Sequence, residues 1–174
     1  MQDRPLATDA EAKALASSLR IRILRLCLDD SRTNKQIAQR LGMNPATVLH
    51  HVRKLVATGF LEAEPERIGP HGAREIPYRA TRKSYRTRLE PGTLSMPMLE
   101  AFNAEFPRQH HETTYMARIG VRLSDTEYSE LRNRVRALFD EYADRPPSDD
   151  STAKPYSLFA AIHLDEGRAE PDGD

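Results

Sequence analysis

The chain has 174 residues, 26 Lys+Arg and 26 Asp+Glu, so its formal net charge is zero. That balance excludes a uniformly basic nucleic-acid coat and an acidic solvating tail. It also conceals an asymmetry, because residues 1–88 hold 17 basic and 9 acidic side chains, a net of +8, and residues 89–174 carry a net of −8.

Residues 1–10 are polar and predict a frayed start. From about Ala12 to Asp29 the spacing predicts one helix with two apolar stripes. Leu15, Leu19, Ile23 and Leu26 form the first stripe, and Ile21, Leu24 and Leu28 form the second, which suggests cover by a second domain or a partner subunit. Thr33-Asn34-Lys35-Gln36 reads as a capping box that opens a short helix ended by Gly42. Asn44-Pro45 starts the next helix as N-cap and first helical residue, and Gly59 stops it after Thr58. Two helices joined by a three-residue turn containing Gly make a helix-turn-helix. Phe60–Glu64 and Ile76–Thr81 then predict paired strands around the loop PERIGPHGARE, a wing carrying Arg67, His71 and Arg74.

The basic run RKSYRTR is followed by Pro91, Gly92 and Pro97, which predicts a domain boundary. Met98–Phe106 predicts a short helix, and Thr113–Leu123 a strand with Tyr115, Ala117, Ile119, Val121 and Leu123 on one face. Ser124-Asp125-Thr126-Glu127 is a second capping box. The helix behind it, running to Ala143, aligns Tyr128, Leu131, Val135, Leu138 and Tyr142. Tyr156–Leu164 predicts the last strand, and residues 165–174 a disordered tail. The fold class expected is α+β, with a winged helix-turn-helix DNA-binding domain over 1–88 and a small α+β dimerisation domain over 98–164.

The run from Leu19 to Tyr85 resembles the winged helix-turn-helix of ArsR-type bacterial transcriptional regulators. The likeness is carried by SLRIRILRLCL, TNKQIAQRLGMNPATVLHHVRKLVATGFLEAE and a wing ending in IPYRAT. The C-terminal half, with VRLSDTEYSELRNRVRALFDEYAD, is similar to a domain appended in some members of that group. The resemblance implies a homodimeric regulator of transcription, with repression the expected direction. Metal-responsive members carry paired cysteines near the recognition helix or Asp/His/Glu ligands on the terminal helix. Here the only thiol is Cys27 and the helix 124–143 has no His, so metal sensing does not carry over.

On a helical wheel Val48, Val52 and Leu55 form the core stripe of the second helix of the motif. Ala46, His50, Arg53 and Ala57 lie opposite, flanked by Thr47, Leu49 and Lys54. The amino-terminal half of a recognition helix enters the major groove, so this face is the candidate reader of double-stranded DNA. Ala46 and Thr47 offer close approach and a methyl for thymine, Arg53 a bidentate donor pair for guanine or phosphate, and His50 a donor. Thr33, Asn34 and Gln36 sit at a helix N-terminus whose amides suit a phosphate, and Asn44 and Pro45, at the start of the next helix, join the candidate DNA-binding residues. Capping also accounts for Thr33 and Gln36. Arg67, His71 and Arg74 would reach a minor groove or its phosphates, or simply keep a loop solvated. The dimer residues expected are Ile21, Leu24, Leu28, Tyr128, Leu131, Val135, Leu138 and Tyr142.

Other constellations point nowhere specific. His110-His111-Glu112 has neighbouring imidazoles that diverge, which is poor geometry for one ion. Cys27 reads as a buried structural thiol, and one cysteine fits a reducing compartment without an internal disulfide. No catalytic, cofactor or metal motif is present, no signal peptide is visible, and no apolar run is long enough to span a membrane. A cytoplasmic, non-enzymatic protein is expected. Two alternatives stay open. One is a winged helix that serves protein interaction without DNA, and the other is a small-molecule effector bound by the C-terminal unit through Tyr115, Met116, Tyr128 and Phe159.

Overall fold

The computed structural model describes residues 4–69, 72–90, 92–93, 95–106 and 114–168. The chain divides into two units, Met1–Phe106 and Pro107–Asp174. The division falls later than the break expected near residue 88.

The first unit begins with α1 (Asp9–Leu15), capped by Thr8, whose hydroxyl accepts from the Glu11 amide while the Glu11 carboxylate reaches back to Thr8. Of the start expected to be frayed, the described residues from Pro5 onward are tied down. Ala7 donates its amide to Arg88 O at 2.8 Å and Arg88 donates to Pro5 O at 2.9 Å. The single helix expected from Ala12 to Asp29 is instead α1 and α2 (Ser18–Leu26), broken at Ala16-Ser17 with Ser17 extended at φ −159°. The break needs no Pro or Gly. Arg20, buried in α2, donates from Nε to Ala14 O and from Nη2 to Lys13 O at 2.7 Å, satisfying carbonyls that the end of α1 leaves open.

The helix-turn-helix follows as expected. β1 (Arg32–Thr33) runs into α3 (Asn34–Leu41), where Thr33 and Gln36 complete a capping box and Gly42 turns the chain at φ 64°. The left-handed conformation costs an L side chain about 1 kcal/mol, which is why glycine sits there. α4 (Pro45–Ala57) starts on Asn44, whose side chain accepts from the Ala46 amide at 2.8 Å. It ends at Thr58, whose hydroxyl donates back to Lys54 O. β2 (Leu61–Ala63) and β5 (Pro77–Ala80) pair antiparallel, with Leu61 opposite Ala80, and β1 adds on the other side of β5. The third strand, only two residues long, is beyond what alternation reveals.

The core lies where α2, α3, α4 and this sheet meet. Ile23, Ile37, Val48, Val52, Leu55 and Phe60 are fully buried there. Each such side chain contributes about 1.5–3 kcal/mol relative to exposure. Val48, Val52 and Leu55 occupy the inward side of α4, so its opposite side stays in solvent.

After α5 (Lys83–Arg86), α6 (Ser95–Glu105) packs along α2. Ala101 is buried, and Glu105 accepts from Arg25 Nε at 2.6 Å, with Arg22 4.0 Å away. This helix, expected to begin the second domain, therefore belongs to the first. It also changes the reading of the α2 stripe. Leu24 is buried in the unit's own core and Leu28 packs against it, while Ile21 is only half-buried. Leu24 and Leu28 are thus taken up within the chain's own first unit.

The second unit contains α7 (Asp125–Asp144), opened by the Ser124–Glu127 capping box. Residues 114–123 and 154–165 run without helical or strand structure. The strands expected at Thr113–Leu123 and Tyr156–Leu164 are therefore not formed among the described residues. Glu166–Arg168 makes one turn of 3-10 helix where a disordered tail was expected. A Cβ on residue 120 would meet the exposed end of the Arg168 side chain, which would have to shift aside. Residues 169–174 lie outside the described residues, and no described helix is long and apolar enough to cross a membrane.

Candidate nucleic-acid interface

The site is built from the turn outward. Asn34, at the start of α3, donates from Nδ2 to Pro45 O at 2.9 Å. Because Pro45 is the first residue of α4, this bond links the N-termini of the two helices. Asn34 Oδ1 is buried and makes no hydrogen bond. Gln36 accepts from the Thr33 amide at 2.9 Å through Oε1. Asn34, Gln36 and Asn44 are therefore all engaged in holding the helix-turn-helix together, each at the place where sequence reasoning put a DNA contact.

On α4 the structure brings the expected residues to one face. Ala46, Thr47, His50, Arg53, Lys54 and Ala57 are exposed, and Leu49 is half-buried at the edge. A helix face of this kind, with two small residues leading and cations behind, suits close approach to a polyanion followed by charge pairing. His50 meets His51 edge-on, ring centroids 5.6 Å apart.

His51 lies on the inner side of the same helix, half-buried, with Nδ1 3.3 Å from Arg20 Nη1. Burial pushes its pKa below the ordinary value, helped by the positive charges of Arg20 and, less, of His50 and Lys54. A guanidinium has no lone pair to offer, so Nδ1 is the acceptor and the ring carries its proton on Nε2. Arg20 is the residue sequence reasoning passed over. The available signal was its spacing, three, four and seven residues before Ile23, Leu24 and Cys27, which puts a cation within an apolar stripe.

The carboxyl end of α4 is held by Lys83. Its ammonium donates to Thr58 O at 2.8 Å, pairs with Glu11 at 2.5 Å and lies 5.4 Å from the Phe60 ring centroid. The Lys83 hydrogen bond, with one from the Thr8 amide, holds the Glu11 carboxyl down at about 2.

The wing is β3 (Arg67–Ile68) and β4 (Arg74–Glu75), closed by Gly69 donating to Ala73 O at 2.8 Å. Arg67 stands opposite Glu75 across the ladder, and Arg74 lies 3.4 Å from Glu66. The two wing arginines are exposed, but each has a carboxylate beside it, which the count of cations alone did not show. His71 lies outside the described residues, as do His110, His111 and Glu112.

Cys27 is fully buried and its thiol is pushed up to about 11 by that burial, which suits a structural role. Among the described residues no group of His, Cys, Asp and Glu is placed to hold a metal ion. Of the residues expected to line an effector pocket, Tyr115 and Met116 are 92% and 73% exposed.

A helix-turn-helix domain family matches residues 15–64 of the chain. No curated protein matches. Among solved structures, reduced HlyU from Vibrio cholerae is 18% identical, covering 56% of this chain and 87% of its own, with a TM-score of 0.37. The homodimeric winged helix-turn-helix DNA-binding domain of Mb0332 from Mycobacterium bovis, a possible ArsR-family regulator, is 26% identical. That match covers 61% of this chain and 82% of Mb0332, with a TM-score of 0.34. Bacillus subtilis PadR in complex with operator DNA is 15% identical, over 77% of this chain and 82% of its own, with a TM-score of 0.33. With α3, the Gly42 turn, α4 and the β3–β4 wing in place, the N-terminal unit is a winged helix-turn-helix.

Proposed function

We propose that this chain is a sequence-specific, homodimeric DNA-binding regulator of transcription, reading the major groove with α4 while Arg67 and Arg74 of the wing approach the neighbouring backbone. The observation that supports it best is the exposed face of Ala46, Thr47, His50, Arg53 and Lys54 on a helix whose other side is core. The excess of positive charge in residues 1–88 favours association with phosphate, and the negative excess in 89–174 keeps that half off the duplex. One recognition helix covers only a few base pairs, so useful selectivity needs two half-sites and hence two copies.

Selection of bound fragments from random duplex DNA tests this. The expected product is an inverted or direct repeat of a short half-site, bound with an affinity that falls steeply with added salt. Failure to enrich any sequence, or an association indifferent to salt, would overturn the proposal and favour a winged helix that serves protein contacts instead.

A further inference from the structure

Along most of its length α4 is held by apolar packing. Val48, Val52 and Leu55 join it to the core through contacts that are non-directional. Its ends are pinned, by Asn34 bonding to Pro45 O and by Lys83 bonding to Thr58 O. Between Thr47 and Arg53, among the described residues, one hydrogen bond reaches α4 from another element: Arg20 Nη1 to His51 Nδ1 at 3.3 Å. Arg20 is a firm anchor, buried and bonded through Nε to Ala14 O and through Nη2 to Lys13 O. His51 shares a ridge of α4 with Thr47 and Lys54, four residues before it and three after, and adjoins His50. The one directional bond to the middle of α4 is therefore made beside its exposed face.

We propose that Arg20 and His51 are positioning residues for DNA selectivity: the neutral imidazole, held by the guanidinium, fixes how α4 is presented to the major groove, and acid releases it. The inference rests on the proposed reading of DNA by α4. A proton on Nδ1 removes the lone pair that Arg20 uses and sets two cations 3.3 Å apart. The charged groups acting on the ring are Arg20 from α2, and His50 and Lys54 on α4 itself. All are basic, and α3 and β2, which also pack on α4, contribute none of them. No carboxylate among these groups takes up the added charge. Arg20 is tied to two carbonyls, so the half-buried ring is the part that moves. The consequence falls on selectivity. A freed imidazolium near Lys54 adds attraction to phosphate, so binding to arbitrary duplex holds or rises as pH falls. Base contacts need α4 in one orientation, so they weaken when the anchor is lost.

Competition between the selected duplex and a scrambled one of equal length, with the full chain at fixed ionic strength from about pH 7.5 to about pH 5.5, reads the ratio of the two affinities. That ratio is expected to fall roughly tenfold in the wild type. His51→Gln keeps an acceptor for Arg20 and takes no proton, so its ratio should stay near the neutral wild-type value throughout. His51→Arg, a permanent cation, should show the low ratio already at neutral pH. A purely structural role for His51 would lower both affinities together and leave the ratio flat. A wild-type ratio indifferent to pH would overturn the inference. So would a fall retained by His51→Gln, which would place the titration on His50. If His51→Arg does not fold, the wild-type and His51→Gln profiles decide. If no duplex is selected at all, the reading of DNA by α4 fails by itself, and amide exchange then reads the contact directly. Protection of α4 amides relative to those of α3 should fall on acidification in the wild type and hold in His51→Gln. Equal behaviour of the two proteins would overturn the inference on that arm as well.

Discussion

Arg20 Nη1 lies 3.3 Å from His51 Nδ1, so a guanidinium that closes the end of α1 also touches α4 from behind. The same side chain joins three helices, and the imidazole must stay neutral to accept from it. Protonating His51 would set two cations against each other in a half-buried space also faced by His50 and Lys54. The folded pKa lies below the ordinary 6.5, so below that pH the unfolded chain binds the extra proton first. Stability from this group is therefore full above pH 6.5 and lost as pH falls through the depressed folded value. Thermal denaturation between pH 8 and about 5 should show this slope, and His51→Gln should flatten it. An unchanged slope in the variant would remove His51 as its source.

Arg20 itself should be costly to remove. Arg20→Met keeps the apolar stem but abandons the carbonyls of Lys13 and Ala14, and an unsatisfied buried polar group costs about 1–3 kcal/mol. Chemical denaturation should register a loss on the order of 2–4 kcal/mol, with the midpoint moving and the slope unchanged. Arg20→Lys should recover little, because one ammonium cannot reproduce the spread of the fork. Loss under 0.5 kcal/mol would mean water replaces the guanidinium freely.

Glu11 and Lys83 make a second pH dependence, at the acid end. The Glu11 carboxyl titrates at about 2 against an ordinary 4.5, so its contribution is complete above pH 4.5 and disappears as pH falls toward 2. The pair is partly solvated, which screens it, so a small effect is expected. Glu11→Gln should lower the melting temperature at pH 7 and converge with the wild type near pH 2. Equal melting curves throughout would show that the ion pair adds nothing.

Local signals made most of the N-terminal unit legible. Thr33 with Gln36, Gly42, and Asn44 with Pro45 are short-range devices, each satisfied within four residues, and the structure places helix ends at all of them. The Ser124 box worked for the same reason. What was hidden depends on partners far along the chain. The break at Ala16-Ser17 is stabilised by Arg20, the cover on α2 arrives from α6, and the alternation of 115–123 defines a face without saying what pairs with it. On the candidate interface, wheel arithmetic found the exposed face of α4, but it could not show that Asn34 is bonded to Pro45 or that Glu66 stands beside Arg74.

The Asn34 bond separates a structural role from a DNA contact. Asn34→Ala loses one hydrogen bond, about 0.5–1.5 kcal/mol, and relaxes the angle between α3 and α4. Asn34→Asp is expected to be worse, since it sets a carboxylate against the Pro45 carbonyl oxygen where a donor is required. Both variants should lower the melting temperature and, through α4, DNA affinity. If Asn34 acted only on DNA, affinity would fall with the melting temperature unmoved.

Arg53 carries the sharpest expectation for the interface. It is exposed on the face of α4 that the core residues Val48, Val52 and Leu55 turn outward. Replacing it with Ala removes no packing, so stability should stay within about 0.5 kcal/mol. A base contact through the guanidinium is worth about 1–3 kcal/mol of discrimination, so Arg53→Ala should weaken the selected site by that amount and relax preference at one base position. Arg53→Lys distinguishes base from phosphate. Lysine keeps the charge but not the fork, so a phosphate contact would survive with its salt dependence intact, whereas a bidentate base contact would be lost with its preference. Competition binding across single-base variants of the selected site reads both. If neither substitution changes affinity or preference, the reading face lies elsewhere on α4, with Thr47 and His50 the residues next in line to contact a base.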